Sequence, residues 1–127
     1  MKVYLVRDSK KILAGLFSTY NHAQKYISAN EDLETFDINI NHININQINL
    51  VNGHIMVAIC TEDEITNDLA IFGTKMFQIQ DDGKFYTIFD CALIGLWDLQ
   101  QLRCTGELSK LLQTKVVKVR RLYTDWP

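Results

Sequence analysis

Apolar and polar residues alternate with unusual regularity between residues 38 and 50, where isoleucine and asparagine dominate. The apolar positions are spaced by two residues, then three, then two again: Ile38, Ile40, Ile43, Ile45, Ile48 and Leu50. At helical pitch such positions scatter around the axis and give a helix no buried face. On one straight strand, each three-residue step would move the apolar set to the opposite face. The segment is therefore neither a regular helix nor a single straight strand.

Three interpretations of this Ile/Asn segment stay open. A hairpin that turns at Asn41-His42 would pair Ile40 with Ile43, and asparagine tolerates the positive φ of such turns. The spacing also fits a five-residue repeat whose apolar pattern resembles a pentapeptide-repeat β-helix, but three units are too few for a solenoid. The third interpretation is a twisted or bulged strand on which the repetition has no structural meaning.

The first thirty residues predict a hairpin followed by a helix. Two β-branched and aromatic stretches, 2–7 and 12–17, flank a polar turn, and both strands are predicted to lie inside a sheet. Ser18 or Thr19 then caps an amphipathic helix that ends near Asn30.

Two dipeptides are the strongest turn signals in the chain, Asn52-Gly53 and Asp82-Gly83. The hairpins that they predict join residues 45–51 to 54–60 and residues 76–80 to 85–89. In the second hairpin both flanks alternate, so each strand is predicted to show one face to the core and one to solvent.

The remaining patterns predict short helices and a final strand. Thr61 and Glu64 have capping-box spacing and favour a helix through Leu69. Apolar stripes favour further helices over residues 92–103 and 108–112, and residues 115–123 favour a basic edge strand. The fold class that we expect is α+β, a mainly antiparallel sheet built from hairpins, with two to four short helices in a single layer on one face.

Length and composition favour one folded domain. The chain has 127 residues, 47% of them hydrophobic and 22% charged, which is enough apolar material for a core and too much for disorder. No Pro- or Gly-rich linker divides it, so we expect a single globular domain over residues 1–127. The three cysteines, Cys60, Cys91 and Cys104, lie far apart in apolar surroundings and are interpreted as buried free thiols. With no signal peptide or membrane-spanning run, a cytoplasmic location and no membrane partner are expected.

Charge is distributed unevenly along the chain. Residues 1–29 carry five basic and one acidic side chain, residues 30–99 two basic and twelve acidic, and residues 100–127 six basic and two acidic. These segments contribute +4, −10 and +4 to the net charge of −2. If the two ends of the chain meet, one basic and one acidic surface result, and such asymmetry can steer a charged partner.

No motif with a known reaction is present in the sequence. The histidines, His22, His42 and His54, are isolated from other candidate metal ligands or acid–base partners, and no glycine-rich nucleotide loop occurs. We therefore expect no catalytic residue, no metal site and no cofactor, and a binding protein rather than an enzyme.

Two charged groups are candidate contact surfaces. An acidic set would bind a basic partner protein: Glu62, Asp63, Glu64, Asp68, Asp81 and Asp82. As an alternative, a basic set near aromatic residues would bind nucleic acid: Lys115, Lys118, Arg120 and Arg121. Each has a plainer structural explanation, because carboxylates complement a helix start and basic side chains protect an edge strand.

The opening of the chain resembles the ββα leader of many small phage-encoded proteins. The residues that carry this resemblance are Lys2-Val3-Tyr4-Leu5-Val6, Gly15-Leu16-Phe17-Ser18-Thr19, Ala23 and Tyr26-Ile27. It implies a mobile-element setting and a host cytoplasm, where small proteins without a catalytic site often block a host enzyme or defence complex by stoichiometric contact. The alternatives are an immunity protein that neutralises a cognate toxin and a small nucleotide- or nucleic-acid-binding module.

Overall fold

The computed structural model describes residues 1–30, 36–61, 73–95 and 116–126. Their contacts divide the chain into two compact units, one formed by residues 1–49 and 122–127 and the other by residues 50–121. The expectation of a single domain stays a prediction.

The described residues form eight strands and the helix α1, and each unit holds one four-stranded sheet. In chain order these elements are β1 (Lys2–Arg7), β2 (Leu13–Phe17), α1 (Tyr20–Ala29), β3 (Asp37–His42), β4 (His54–Thr61), β5 (Thr74–Asp81), β6 (Lys84–Ala92), β7 (Val116–Arg121) and β8 (Tyr123–Thr124). The strand order is β3-β1-β2-β8 in the first unit and β5-β6-β4-β7 in the second. All pairs are antiparallel except the parallel pair of β2 with β8. The mainly antiparallel α+β class is confirmed, and the single helical layer stays a prediction.

The predicted N-terminal hairpin is confirmed, and both of its strands are interior. The buried carboxylate of Asp8 organises the turn, because its Oδ1 accepts the N–H groups of Lys10 at 2.9 Å and Ile12 at 3.0 Å. Lys11 completes the reversal in a left-handed conformation, with φ of 62°.

The predicted helix is also confirmed, with both of its ends. Thr19 is the N-cap and accepts the N–H of His22 at 3.2 Å, and the N–H of Asn30 closes the last turn on the carbonyl of Ile27. Ala23 is fully buried in a small core with Val6 and Phe17. The helix therefore covers one face of the first sheet.

The Ile/Asn segment begins as an edge strand rather than a hairpin. Asn41 and His42 lie within β3 and pair with Val3 and Lys2 of β1, so the predicted turn at these residues is wrong. The first unit of the five-residue repeat, residues 38–42, pairs antiparallel with β1 instead of forming a solenoid coil, so the β-helix interpretation is wrong as well. The physical reason is that β1 offers the alternating part of the segment a partner along its whole length, which a two-residue turn would have interrupted.

The Asp82-Gly83 hairpin is confirmed. Asp81 lies opposite Lys84, and both turn residues have positive φ, 51° and 76°, as a type I′ turn requires. Strand β5 alternates between buried and accessible positions as predicted. Strand β6 is buried at four successive residues, 86–89, so its predicted solvent face is wrong there. β6 lies inside the sheet, and its middle is covered on both faces.

The Asn52-Gly53 turn exists, but its predicted first strand does not. Gly53 has φ of 83°, and the N–H of His54 donates to the carbonyl of Val51 at 2.9 Å. Residues 45–51 are not a strand, and β4 pairs instead with β6 and β7. A turn dictates a local chain reversal, whereas the two long strands on either side of β4 decide its pairing.

The final strand is confirmed in part. β7 covers residues 116–121 and lies at the edge of the second sheet, as predicted, whereas Tyr123 and Thr124 form β8 in the first sheet. The predicted helices beyond Thr61 and over 108–112 lie outside the described residues. Of the helix predicted over 92–103, Ala92 belongs to β6 and residues 93–95 are helical.

Candidate functional site

The end of β4 and the acidic turn at residues 81–82 lie at the same end of the second sheet. β4 ends at Thr61, which lies opposite Phe85 of β6. Asp81, the last residue of β5, lies opposite Lys84 at the same end of β6. Thr61, the residue that precedes Glu62 in the sequence, therefore lies near the Asp82 turn. We call this end of the sheet the acidic end.

The two aspartates of the turn have different roles. Asp81 is 4% exposed and engaged in an interaction, so it is part of the fold at the turn. The side chain of Asp82 is 54% exposed, and its nearest described cation is Lys84 at 3.9 Å. Such an exposed pair contributes little to stability. Asp82 is therefore the carboxylate of this turn that a partner can reach.

The other members of the acidic set lie outside the described residues: Glu62, Asp63, Glu64 and Asp68. Their role in binding stays a prediction.

A shallow depression of about 220 Å³ lies next to the acidic end. Its lining residues are Gln78, Ile79, Gln80, Phe85 and Tyr86. Gln80 pairs with Phe85, one step along the ladder from Asp81 and Lys84. An apolar ring, amide groups and the exposed carboxylate of Asp82 thus occur within a few residues of each other.

The basic set is divided between the two faces of the second sheet. Arg120 lies opposite Ala58, and Arg121 lies opposite Val57. Successive side chains of a strand point to opposite faces, so these two guanidinium groups cannot line one groove together. Arg120 is half-buried and engaged in an interaction, Lys118 pairs with Cys60 through its backbone, and Lys115 lies outside the described residues.

A histidine–carboxylate pair lies at the opposite end of the same sheet. His54 Nδ1 is 2.8 Å from Asp90 Oδ1, and the two side chains are 31% and 13% exposed. The neighbouring Cys91 is buried, and burial together with the charge of Asp90 raises the pKa of its thiol to about 11. The thiol is therefore protonated at neutral pH and unsuited to nucleophilic attack. Cys60 and Cys91 are both buried free thiols, which confirms that part of the cysteine interpretation.

A second histidine–carboxylate contact lies in the first unit and serves the fold. Asp125 accepts the backbone N–H of Ser18 at 3.0 Å, and it also contacts the Ser18 hydroxyl and Nδ1 of His22. Burial opposes ionisation of this carboxyl, but the hydrogen bonds from Ser18 and His22 outweigh it and hold the pKa of Asp125 below its usual value. The serine hydroxyl donates to the carboxylate rather than to the imidazole, so this is not the geometry of a Ser-His-Asp triad.

A bidentate ion pair joins β1 to the start of β3. Arg7 Nε and Nη2 lie 2.8 and 2.9 Å from the two oxygens of Asp37, and Lys11 contacts the same carboxylate. The hydrogen bond from Arg7 lowers the pKa of Asp37, burial opposes this, and Lys11 reinforces it. Because both cations are already paired, we assign the cluster to the fold.

Sequence reasoning missed all three of these clusters. The paired residues are 30 positions apart for Arg7 and Asp37, 36 for His54 and Asp90, and 103 for His22 and Asp125, so no local sequence pattern predicts them. Within the ranges that the structure describes, no group of three or more His, Cys, Asp or Glu residues could hold a metal ion. No helix in those ranges is long and apolar enough to cross a membrane.

No family model, no curated protein and no solved structure matches this chain.

Proposed function

We propose that this protein is a small binding protein that acts by stoichiometric surface contact, of the kind that phages direct against a host enzyme or defence complex. The observation that carries the proposal is that β4, which Glu62 follows in the sequence, ends at the same end of the second sheet as the turn with the exposed Asp82. Residues 30–99 carry a formal charge of −10, and all of the acidic set falls within them. A surface of this sign speeds and orients the encounter with a basic partner.

The depression beside the acidic end offers a partly apolar contact area, which exposed charges alone do not provide. Binding energy concentrates where a few side chains are desolvated in a well-packed pocket, and charged groups at the rim contribute mainly to association rate and specificity. Phe85 and the two glutamines offer such a contact, and the exposed Asp82 follows Gln80 by two residues along the chain. A basic side chain with an apolar stem, arginine above all, fits this combination.

Charge reversal at the acidic stretch tests the proposal. We expect the triple variant Glu62→Lys, Asp63→Lys, Glu64→Lys to lose affinity for a partner captured from host lysate by roughly tenfold or more at low salt. The loss should shrink as ionic strength rises, because salt screens exposed charges. The measurement is a titration of the captured partner against each variant at two salt concentrations.

A matched control is available in the first unit. The variant Glu31→Lys, Asp32→Lys, Glu34→Lys changes the net charge by the same amount in the other compact unit. We expect it to bind like the wild type. Equal affinity of both triple variants and the wild type would refute the assignment of the acidic end as the contact surface. Capture of oligonucleotides that is lost with Arg120→Ala and Arg121→Ala would favour the nucleic-acid alternative.

A further inference from the structure

Among the described strands, β3 forms one outer edge of the first sheet, and its isoleucines make this edge prone to strand addition. β3 pairs with β1 on one side, and no other described strand pairs with its outer side. Ile40 on this strand is 48% exposed. An exposed edge strand with β-branched residues is a template for pairing with another chain unless something blocks it.

The hydrogen bonds just after the C-terminal end of β3 show which of its N–H groups point toward β1 and which point away. The N-terminal ammonium of Met1 donates to the carbonyl of Ile43, and the N–H of Ile43 donates to the carbonyl of Met1, each at 2.8 Å. Opposed residues of an antiparallel ladder alternate between bonded and non-bonded pairs. Ile43 pairs with Met1 in a bonded pair, so His42 and Ile40, opposite Lys2 and Tyr4, belong to non-bonded pairs. Their N–H groups therefore point away from β1, toward the free edge.

Asparagine side chains occupy these two outward N–H groups. The Oδ1 of Asn39 accepts the N–H of Ile40 at 3.0 Å, and the Oδ1 of Asn41 accepts the N–H of His42 at 2.8 Å. Each asparagine thus caps the residue that follows it. An incoming strand needs alternating donors and acceptors on the edge, and here these donors are already bonded.

We propose that the alternating asparagines are a built-in closure of this edge, which keeps the β3 strand of a second copy from adding to the sheet. This explains the Ile-Asn alternation within β3: isoleucine supplies the face toward the helix, and asparagine supplies an acceptor for the outward donor one residue later. Leucine has a similar branched shape but no amide oxygen, so it would leave these two N–H donors without their acceptors.

The test compares two double variants of equal composition. We expect Asn39→Leu with Asn41→Leu to self-associate at concentrations where the wild type does not, measured by sedimentation velocity. The amide hydrogens of Ile40 and His42 should exchange roughly three- to tenfold faster in the dilute variant, as the loss of one hydrogen bond predicts. The control, Asn44→Leu with Asn46→Leu, changes two exposed asparagines beyond the end of β3 and should behave like the wild type.

A third substitution distinguishes strand pairing at the β3 edge from non-specific hydrophobic association. Ile40→Pro, added to the Asn39→Leu and Asn41→Leu variant, removes an outward N–H that β1 does not use, and should abolish the association. Should the double variant fail to fold, single Asn41→Leu is expected to show a weaker form of the same shift. The proposal is overturned if the double variant sediments like the wild type, if the control associates equally, or if proline leaves the association unchanged.

Discussion

At the scale of single residues, the C-terminal end of the chain depends on one carboxylate. β8 has two residues, and Asp125 directly after it binds Ser18 and His22, which lie on either side of the Thr19 cap of α1. Because folding lowers the pKa of Asp125, its ionised form stabilises the folded state above the ordinary value of 3.8. That contribution is lost as pH falls through the lower pKa of the folded state.

Asp125→Asn should therefore lower the free energy of unfolding by about 1–2 kcal/mol at pH 7, the loss expected for hydrogen bonds to a charged group. The difference from the wild type should narrow as the pH falls below the ordinary value of 3.8 and through the lower pKa of the folded state, where the wild-type carboxylate becomes protonated. Urea unfolding across this range measures it. Asp82→Asn is the control, with almost no expected effect. A loss that does not change with pH would contradict the assigned role.

Gly73 is a second residue whose identity is fixed by contacts. A Cβ at this position would lie 2.6 Å from Sγ of Cys91 and 2.7 Å from the backbone oxygen of Asp90. We expect Gly73→Ala to cost about 1–3 kcal/mol of stability, as overpacking does. In a Cys91→Ala background the cost should shrink but persist, because the Asp90 carbonyl is unchanged. Additive effects in this double-mutant cycle would argue against the contact.

At the scale of elements, local signals in the sequence are sufficient where one residue decides the geometry. Thr19 as a helix cap, Asn30 as its end and Asp82-Gly83 as a turn all follow from side-chain chemistry over four residues or fewer. The Asn52-Gly53 turn could be predicted in the same way, but the strand predicted before it does not form. Pairing depends on strands that lie far along the chain, and no spacing within residues 45–51 reports that β6 and β7 occupy both sides of β4.

Thr19→Ala should destabilise the protein by about 1 kcal/mol, the usual cost of losing an N-cap. Ser28→Ala, at an exposed position inside the same helix, is the control and should be neutral or slightly stabilising. Thermal unfolding of both variants against the wild type decides this. Equal melting temperatures for Thr19→Ala and the wild type would show that the cap contributes nothing.

At the scale of the whole molecule, the ends of the chain meet, but their meeting does not by itself place the basic residues on one surface and the acidic residues on another. β8 pairs with β2 in the first unit, as the charge argument required. The basic residues Arg120 and Arg121, however, belong to β7, in the same sheet as the Asp82 turn. The acidic set was identifiable from the sequence, whereas the shared position of the Thr61 end of β4 and the Asp81 end of β5 depends on the register of both strands against β6.

The most direct test of the proposed function is a native mass spectrum, at low ionic strength, of the protein recovered from host lysate. We predict a complex with one protein in a fixed ratio. That complex should be lost in the Glu62→Lys, Asp63→Lys, Glu64→Lys variant and kept in the matched variant at residues 31, 32 and 34. Extra mass from a nucleotide, a nucleic acid or a metal ion in place of a protein would contradict a stoichiometric protein-binding role.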